Sequence, residues 1–297
     1  MPDEDLQVGG RPVAAGGAAD AADAGPRVGR LRICATPIGN LQDVTLRVLQ
    51  TLRSADVVAC EDTRHTKILL ERHGIAAAEL VSFHEHNERA RAAGLVARMQ
   101  AGGTVALVSD AGMPLVSDPG YELVRASIAA GVAVEVLPGP SAVLSALVVS
   151  GLPAGRWCFV GFLPRRRAEL ERTLSEQRET LVAFESPRRL AATLAVVAAQ
   201  DPARAVVVCR ELSKLHEEVR RGGAGELAAY YSEHAARGEV VLVLGAAPSG
   251  GGDRAAALAA LRELVAAGAR ARPAAGVVAR LTGASANELY RGLMEDG

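Results

Sequence analysis

The chain's 297 residues, nearly half of them apolar, suffice for two ordinary domains with a substantial core. With 33 Lys and Arg against 34 Asp and Glu the net charge is −1, which excludes a protein that coats nucleic acid by bulk charge and leaves that role to local clusters. No apolar run reaches the roughly 18 residues of a membrane span, and the Ala/Gly-rich start carries acids without an apolar signal-peptide core, so a cytoplasmic protein is expected.

Residues 1–30 are low in complexity and lack periodicity, and are expected to form a disordered tail. Order begins at Leu31, where LRICATP reads as a buried strand that Pro37-Ile38-Gly39-Asn40 breaks into a tight loop. Asp43 reads as the N-cap of a helix carrying Val44, Leu46, Val48, Leu49 and Leu52. A second strand over 55–60 ends in Glu61-Asp62-Thr63-Arg64-His65-Thr66-Lys67, with Asp62 or Thr63 available to cap the helix that follows. A third strand near 80–84 ends in another polar run, where His84 and His86 alternate onto one face. No third ligand lies at convincing spacing, so no metal site is expected.

After a helix reaching Gln100 comes TVALVSDAGMPLVSDPGYELV (104–124), around which the rest of the chain is organised. A buried strand, Val105 to Val108, runs into a loop in which glycine permits close backbone approach, proline fixes φ, and Ser and Asp supply short acceptors. Asp118-Pro119 reads as an N-cap followed by proline at the first helical position. A fifth strand, VAVEVLP, ends at Pro138-Gly139-Pro140-Ser141-Ala142, and Ser141 caps the next helix. Five alternations of strand and helix, each strand followed by a Gly/Pro/Ser-rich loop, predict an α/β parallel sheet whose ligands bind off the strands' carboxyl ends. Neither G-x-G-x-x-G nor a P-loop occurs, which speaks against a dinucleotide or nucleoside triphosphate fingerprint.

The character shifts at 151–155, and the expected organisation is an N-terminal α/β domain over 31–150 and a second over 151–247. Strands are expected near 157–163, 180–184, 205–209 and 240–244, with helices near 167–177, 187–199 and 225–236. Polar clusters follow the strands at Arg165-Arg166-Arg167, Glu185-Ser186-Pro187-Arg188-Arg189 and Arg210-Glu211-Leu212-Ser213-Lys214, and such Arg runs suit phosphates through bidentate contacts. Residues 248–253 read as a flexible linker. Over 254–297 three short helices are expected in a helix-turn-helix-like segment, with Ser285 and Glu288 at capping-box positions. Cys34, Cys60, Cys158 and Cys209 sit singly in apolar runs without metal-ligand spacing and read as reduced core residues.

ATPIGNLQDVTLR, CEDTRHTKILL, SFHEHNE, VSDAGMPLVSDPGYELV, LPGPSAVLSAL, FVGFLPR, FESPRRL, CRELSKLHEE and GEVVLVLG occur in one order over 31–245. In this the chain resembles the bacterial small-subunit ribosomal RNA methyltransferases of type I, within the tetrapyrrole-methylase-like (class III) superfamily. The resemblance implies two α/β domains holding S-adenosylmethionine in the cleft between them, and a homodimer. It also implies transfer of a methyl group to the ribose 2′-hydroxyl of a cytidine in the decoding region of small-subunit RNA. Carried over by position, the cofactor pocket involves Pro37, Ala111, Gly112, Met113, Pro114, Val116, Ser141 and Ala142, with Glu185 and the Gly238-Glu239 region as weaker members. Where tetrapyrrole methylases have Gly-Asp-Pro this chain has Gly112-Met113-Pro114, which argues against a tetrapyrrole substrate.

A ribose hydroxyl is a weak acid, so a base or strong acceptor should stand near it, and Asp62, His65, His84, Glu85, Glu185 and Lys214 are all candidates at strand ends. Asp62, Arg64 and Glu185 are expected on the acceptor side of the cleft. Phosphate contacts are expected from Arg64, Lys67, Arg165, Arg166, Arg188, Arg189 and Lys214. Two alternatives stand beside this reading. One is a same-fold methyltransferase acting on a small molecule or a protein side chain. The other is a DNA-binding regulator, which the single cation, Arg291, of 284–294 disfavours.

Overall fold

A computed structural model describes residues 29–247 and 254–295. The expected disordered tail, apart from its last residues, and the linker over 248–253 lie outside the described residues.

The first half alternates β1 (Arg30–Cys34), α1 (Leu46–Ser54), β2 (Val57–Cys60), α2 (Thr63–Arg72), β3 (Leu80–Ser82), α3 (Glu88–Gln100), β4 (Thr104–Val108), α4 (Tyr121–Ala129) and β5 (Ala133–Leu137). The strands form one parallel sheet in the order β3-β2-β4-β1-β5. Alternate residues face opposite layers. Leu31, Ile33, Val105 and Leu107 pack against α3 and α4, while Cys34, Ala106 and Val108 pack against α1 and α2. Cys34 pairs with Val108, so adjacent strands β1 and β4 end level. From there β1 leads towards β2 on one side and β4 towards β5 on the other, which opens a crevice at their carboxyl ends.

Helix α5 (Ala142–Ser150) joins the halves. Its Val143, Ala146 and Leu147 pack on Val182, Val207, Val241 and Val243 of a second sheet. That sheet contains β6 (Trp157–Phe162), β7 (Thr180–Glu185), β8 (Ala205–Arg210), β9 (Glu218–Gly223) and β10 (Val240–Leu244), in the order β6-β7-β10-β8-β9. Helices α6 (Arg167–Glu176), α7 (Leu190–Gln200) and α8 (Ala224–Glu233) cover its other face. The last strand, β10, is antiparallel to both β7 and β8, so this sheet is mixed. Beyond it, α9 (Arg254–Ala266), α10 (Ala271–Thr282) and α11 (Ala286–Glu295) pack around Leu261, Ala275, Val278 and Leu289. The Ser285 hydroxyl accepts the Glu288 N–H at 3.4 Å.

Three local expectations are corrected. Asp43 ends a short 3-10 turn, and Thr45 caps α1 by accepting the Val48 N–H at 3.2 Å. Asp118 does not cap α4. That helix starts at Tyr121 behind Gly120, whose N–H goes to Glu88 Oε2 at 2.9 Å. Gly120 has φ +133°, and a Cβ there would stand 2.9 Å from Leu107, so the entry to α4 requires glycine. Strand β9 is absent from the sequence reading because EVRRGG lacks apolar alternation. Its place at the sheet edge comes from ion pairs of Glu218 with Arg210 and Arg220, and from Arg221 holding the Val149 and Ser150 carbonyls of α5.

Burial pushes the Cys34 thiol up to about 12 and the Cys209 thiol up to about 11, and raises Cys60. A thiolate-directed reagent is therefore expected to reach only half-buried Cys158 in native protein and all four cysteines after unfolding. More than one fast-reacting thiol in native protein contradicts this packing.

Candidate active site

A cavity of about 430 Å³ opens where the carboxyl ends of β1 and β4 face the second sheet. This is within the range that holds a cofactor-sized molecule. Gly112, Met113 and Val116 supply one wall, and Ser141 and Ala142 at the start of α5 another. The second sheet contributes Phe162, residues 184–187 and residues 238–241.

The floor is built from main chain. Thr36 and Gly112 exchange backbone hydrogen bonds of 2.8 and 3.0 Å, and the Thr36 hydroxyl donates to the Ser109 carbonyl at 3.0 Å. The loop after β1 is thereby stitched to the loop after β4. Gly112 sits at φ +80° with the Ile38 methyl 3.4 Å from where a Cβ would be, so a side chain here meets both strain and a neighbour. Leu115 and Ser117 also have positive φ, 73° and 68°. Non-glycine residues hold that conformation only where their surroundings over-determine it, a pattern that concentrates at functional sites.

Of the residues expected around a cofactor, Ala111, Gly112, Met113, Val116, Ser141 and Ala142 come together on the cavity wall. Pro37 and Pro114 are buried behind it, and Ile38 lines the cavity in place of Pro37. The walls and carbonyl-rich loops fit a cationic alkyl donor with a flat aromatic end. Phe184 stands 5.4 Å from Phe162, which is 62% exposed, so an open aromatic face is on offer. Sequence reasoning passed over both phenylalanines, although the FVGF and FESP motifs contain them.

The residues expected on the acceptor side divide. Glu185 borders the cavity, but its side chain is 0% exposed and its oxygens are taken by Arg189 Nη2 at 3.2 Å, Thr193 Oγ1 at 2.5 Å and the Ser186 N–H at 2.6 Å. A carboxylate so engaged braces the β7–α7 turn rather than receiving a proton. Arg189 also donates to the Leu163 and Pro164 carbonyls at 3.0 and 2.8 Å, so it is a strut and not an open phosphate clamp. Lys214 Nζ is likewise engaged, with Glu211 and Glu239 at 2.9 Å each.

Asp62 and Arg64 stand beside the cavity at the end of β2, off its wall. Asp62 caps α2 by accepting the Arg64 N–H at 2.8 Å, and the Arg64 guanidinium holds its carboxyl below the usual range. The Asp62 N–H donates to Asp110 Oδ1 at 3.0 Å, and His65 Nδ1 meets Asp110 Oδ2 at 3.0 Å, which raises the His65 pKa. Lys67, Arg165, Arg166 and Arg188 are exposed and form no ion pair among the described residues. Arg165, Arg166 and Arg188 follow β6 and β7 closely in the chain, after the strands that carry the two phenylalanines.

Asp118 is on the cavity wall, where sequence reasoning had assigned it to a helix cap. Burial and then the Glu61 charge raise its pKa from 3.8 to about 7, with the Ser109 hydroxyl pulling the other way and Asp110 adding the smallest contribution. Among the described residues no group of three or more His, Cys, Asp or Glu is placed to hold a metal ion. No described helix is long and apolar enough to cross a membrane.

A family model described as tetrapyrrole (corrin/porphyrin) methylases matches residues 30–228. Proteins named ribosomal RNA small subunit methyltransferase I are similar over most of the chain. That of Mesorhizobium japonicum is 46% identical over 271 residues, covering 89% of this chain and 91% of its own. That of Mycobacterium tuberculosis is 46% identical over 275 residues, covering 90% and 95%. That of Escherichia coli O157:H7 is 41% identical over 273 residues, covering 90% and 95%. Among solved structures, uroporphyrin-III-C-methyltransferase from Thermus thermophilus superposes with TM-score 0.54 at 26% identity, covering 73% of this chain and 94% of that one. A second structure of that enzyme, complexed with S-adenosyl homocysteine, superposes with TM-score 0.52 at 23% identity, covering 73% and 97%, and shares the fold.

Proposed function

The chain belongs to the tetrapyrrole (corrin/porphyrin) methylase family, in its ribosomal RNA small subunit methyltransferase I group, and from that premise we propose that it methylates small-subunit ribosomal RNA from S-adenosylmethionine. In finer terms, the acceptor is the ribose 2′-hydroxyl of a cytidine in the decoding region. The observation that carries the reading is the cavity floored by the loops after β1 and β4 and walled by apolar side chains. When bound, S-adenosylmethionine supplies a methyl group on a cationic sulfur with a good leaving group.

The chain's own part is positioning. Holding donor carbon and acceptor oxygen in line is worth up to about 7–11 kcal/mol in favourable cases. Main-chain carbonyls and an apolar lining suit a positive charge that disperses as the methyl group moves. Arg165, Arg166 and Arg188 after β6 and β7, with Lys67 beyond β2, would meet phosphates and orient the RNA without reading its sequence. The target nucleotide would be splayed into the cleft, as enzymes acting on single nucleotides require. A homodimer and a cytoplasmic setting belong to the same reading. In support of the dimer, edge strand β5 leaves Val136 half exposed, and α5 leaves Val148 81% exposed.

The test supplies methyl-labelled S-adenosylmethionine with free small-subunit RNA, assembled subunits or DNA. Label is expected in RNA or the subunit, on a ribose oxygen of one cytidine after nuclease digestion. Label on a base, on protein, or nowhere overturns the reading at that level.

A further inference from the structure

We infer that Asp118 is the catalytic residue that accepts the ribose 2′-hydroxyl proton. This rests on the methyl-transfer reading above and adds a residue to it.

Three carboxylates border the cavity, and two are spent. Glu185 is fully covered and holds Arg189, Thr193 and the Ser186 N–H. Glu239, 71% exposed, is paired to Lys214 at 2.9 Å. Asp118 alone of the three has no ion-pair partner among the described residues. The groups around it come from several elements: Glu61 beyond β2, Ser109 and Asp110 beyond β4, and Glu88 at the start of α3, which holds the Gly120 N–H. All the charged groups in that set are acidic. His84 and His65 act on Glu61, and His65 also meets Asp110 Oδ2 at 3.0 Å, so the cationic groups of this region engage the neighbours of Asp118 rather than Asp118 itself. A carboxylate in such company binds a proton more tightly than one in water, in accord with its value of about 7. A base is most effective when its pKa lies near the working pH.

The backbone explains why this side chain is free to act. The left-handed turns at Leu115 and Ser117 and the late start of α4 leave Asp118 outside the helix, so its oxygens cap nothing. The same turns bring Ser117 towards β6, with its hydroxyl oxygen 3.6 Å from where a Cβ on Gly161 would lie. Asp118 and Phe162 line the same cavity, so a ribose that enters it meets the carboxylate. In the step, the hydroxyl proton passes to Asp118 as the oxygen–carbon bond forms and the carbon–sulfur bond breaks. The bonding pair goes to sulfur, giving the neutral thioether, a ribose methyl ether and a protonated Asp118 that returns its proton to water.

The test compares full-length native protein with Asp118→Asn and Glu61→Gln. Below about 7 the carboxyl is protonated and cannot accept, so native kcat should rise with pH and level off above that value. Asp118→Asn should bind S-adenosylhomocysteine like native protein in calorimetry, lose about 100-fold or more in kcat with KM little changed, and lose the pH step. Glu61→Gln removes the larger of the two repelling charges and should move the step to lower pH. A flat native profile, an Asp118→Asn enzyme of near-native rate, or an Asp118→Asn protein that no longer binds the thioether would each overturn the assignment. Native protein that leaves every ribose unmethylated overturns the functional reading itself, whereas an active native enzyme beside an equally active Asp118→Asn overturns the base alone.

Discussion

Arg189→Ala should be the most destabilising single change near the cavity, at the lower end of about 3–5 kcal/mol for breaking a buried pair. The substitution leaves the Glu185 carboxylate, whose side chain is 0% exposed, without its cation. It also strips donors from the Leu163 and Pro164 carbonyls. Because Arg189 keeps a 29% exposed side chain, water can enter and limit the loss. Urea unfolding is the measurement. Combining Arg189→Met with Glu185→Gln should recover part of the stability, since neither half of the pair is then stranded. A loss below about 1 kcal/mol would place this pair with ordinary surface ion pairs and remove its role as a brace.

Gly112→Val should weaken S-adenosylhomocysteine binding about 100-fold. A β-branched residue at φ +80° is strained by about 1–3 kcal/mol, and its methyls would crowd Ile38 and the cavity, adding about 1–3 kcal/mol of overpacking. The free loop relaxes out of the strained shape and must be returned to it when the ligand binds; about 2.7 kcal/mol is two decades of affinity, which two terms of about 1.4 kcal/mol each reach. Calorimetry with the demethylated product reads it directly. Near-native affinity in a folded Gly112→Val protein would mean that the floor at Thr36 and Gly112 does not contact the ligand.

Apolar runs made the strands of the first sheet legible, because both faces of a parallel sheet are covered: Val105–Val108 are buried throughout, and in β1 Leu31, Ile33 and Cys34 are buried while Arg32 pairs with Glu135. Ser141 as the cap of α5 was legible for a local reason: the hydroxyl and the Leu144 N–H it meets are three residues apart. Asp118 was misread for the opposite reason. Asp-Pro is a sound helix opening, but the left-handed turns at Leu115 and Ser117 postpone α4, with Leu115 packed into the core of the first sheet and Val116 against the second, contacts that no short window contains. Glu185, Arg189 and Lys214 looked like open polar groups in sequence, whereas their partners Thr193, Leu163 and Glu239 arrive through tertiary folding. The loops expected around a cofactor meet at the cavity, and glycine and proline mark them as turns in the sequence itself.

The placement of β10 sets an order of events during synthesis. The first sheet has all its strands once Leu137 has emerged, but β7 and β8 are joined into one sheet only when Val240–Leu244 slots between them. Until then the pairs β6–β7 and β8–β9 each present an open inner edge, an exposure that growing chains must survive or have shielded. Since residues 238–241 also line the cavity, a nascent enzyme becomes able to grip its methyl donor only after its second sheet has closed.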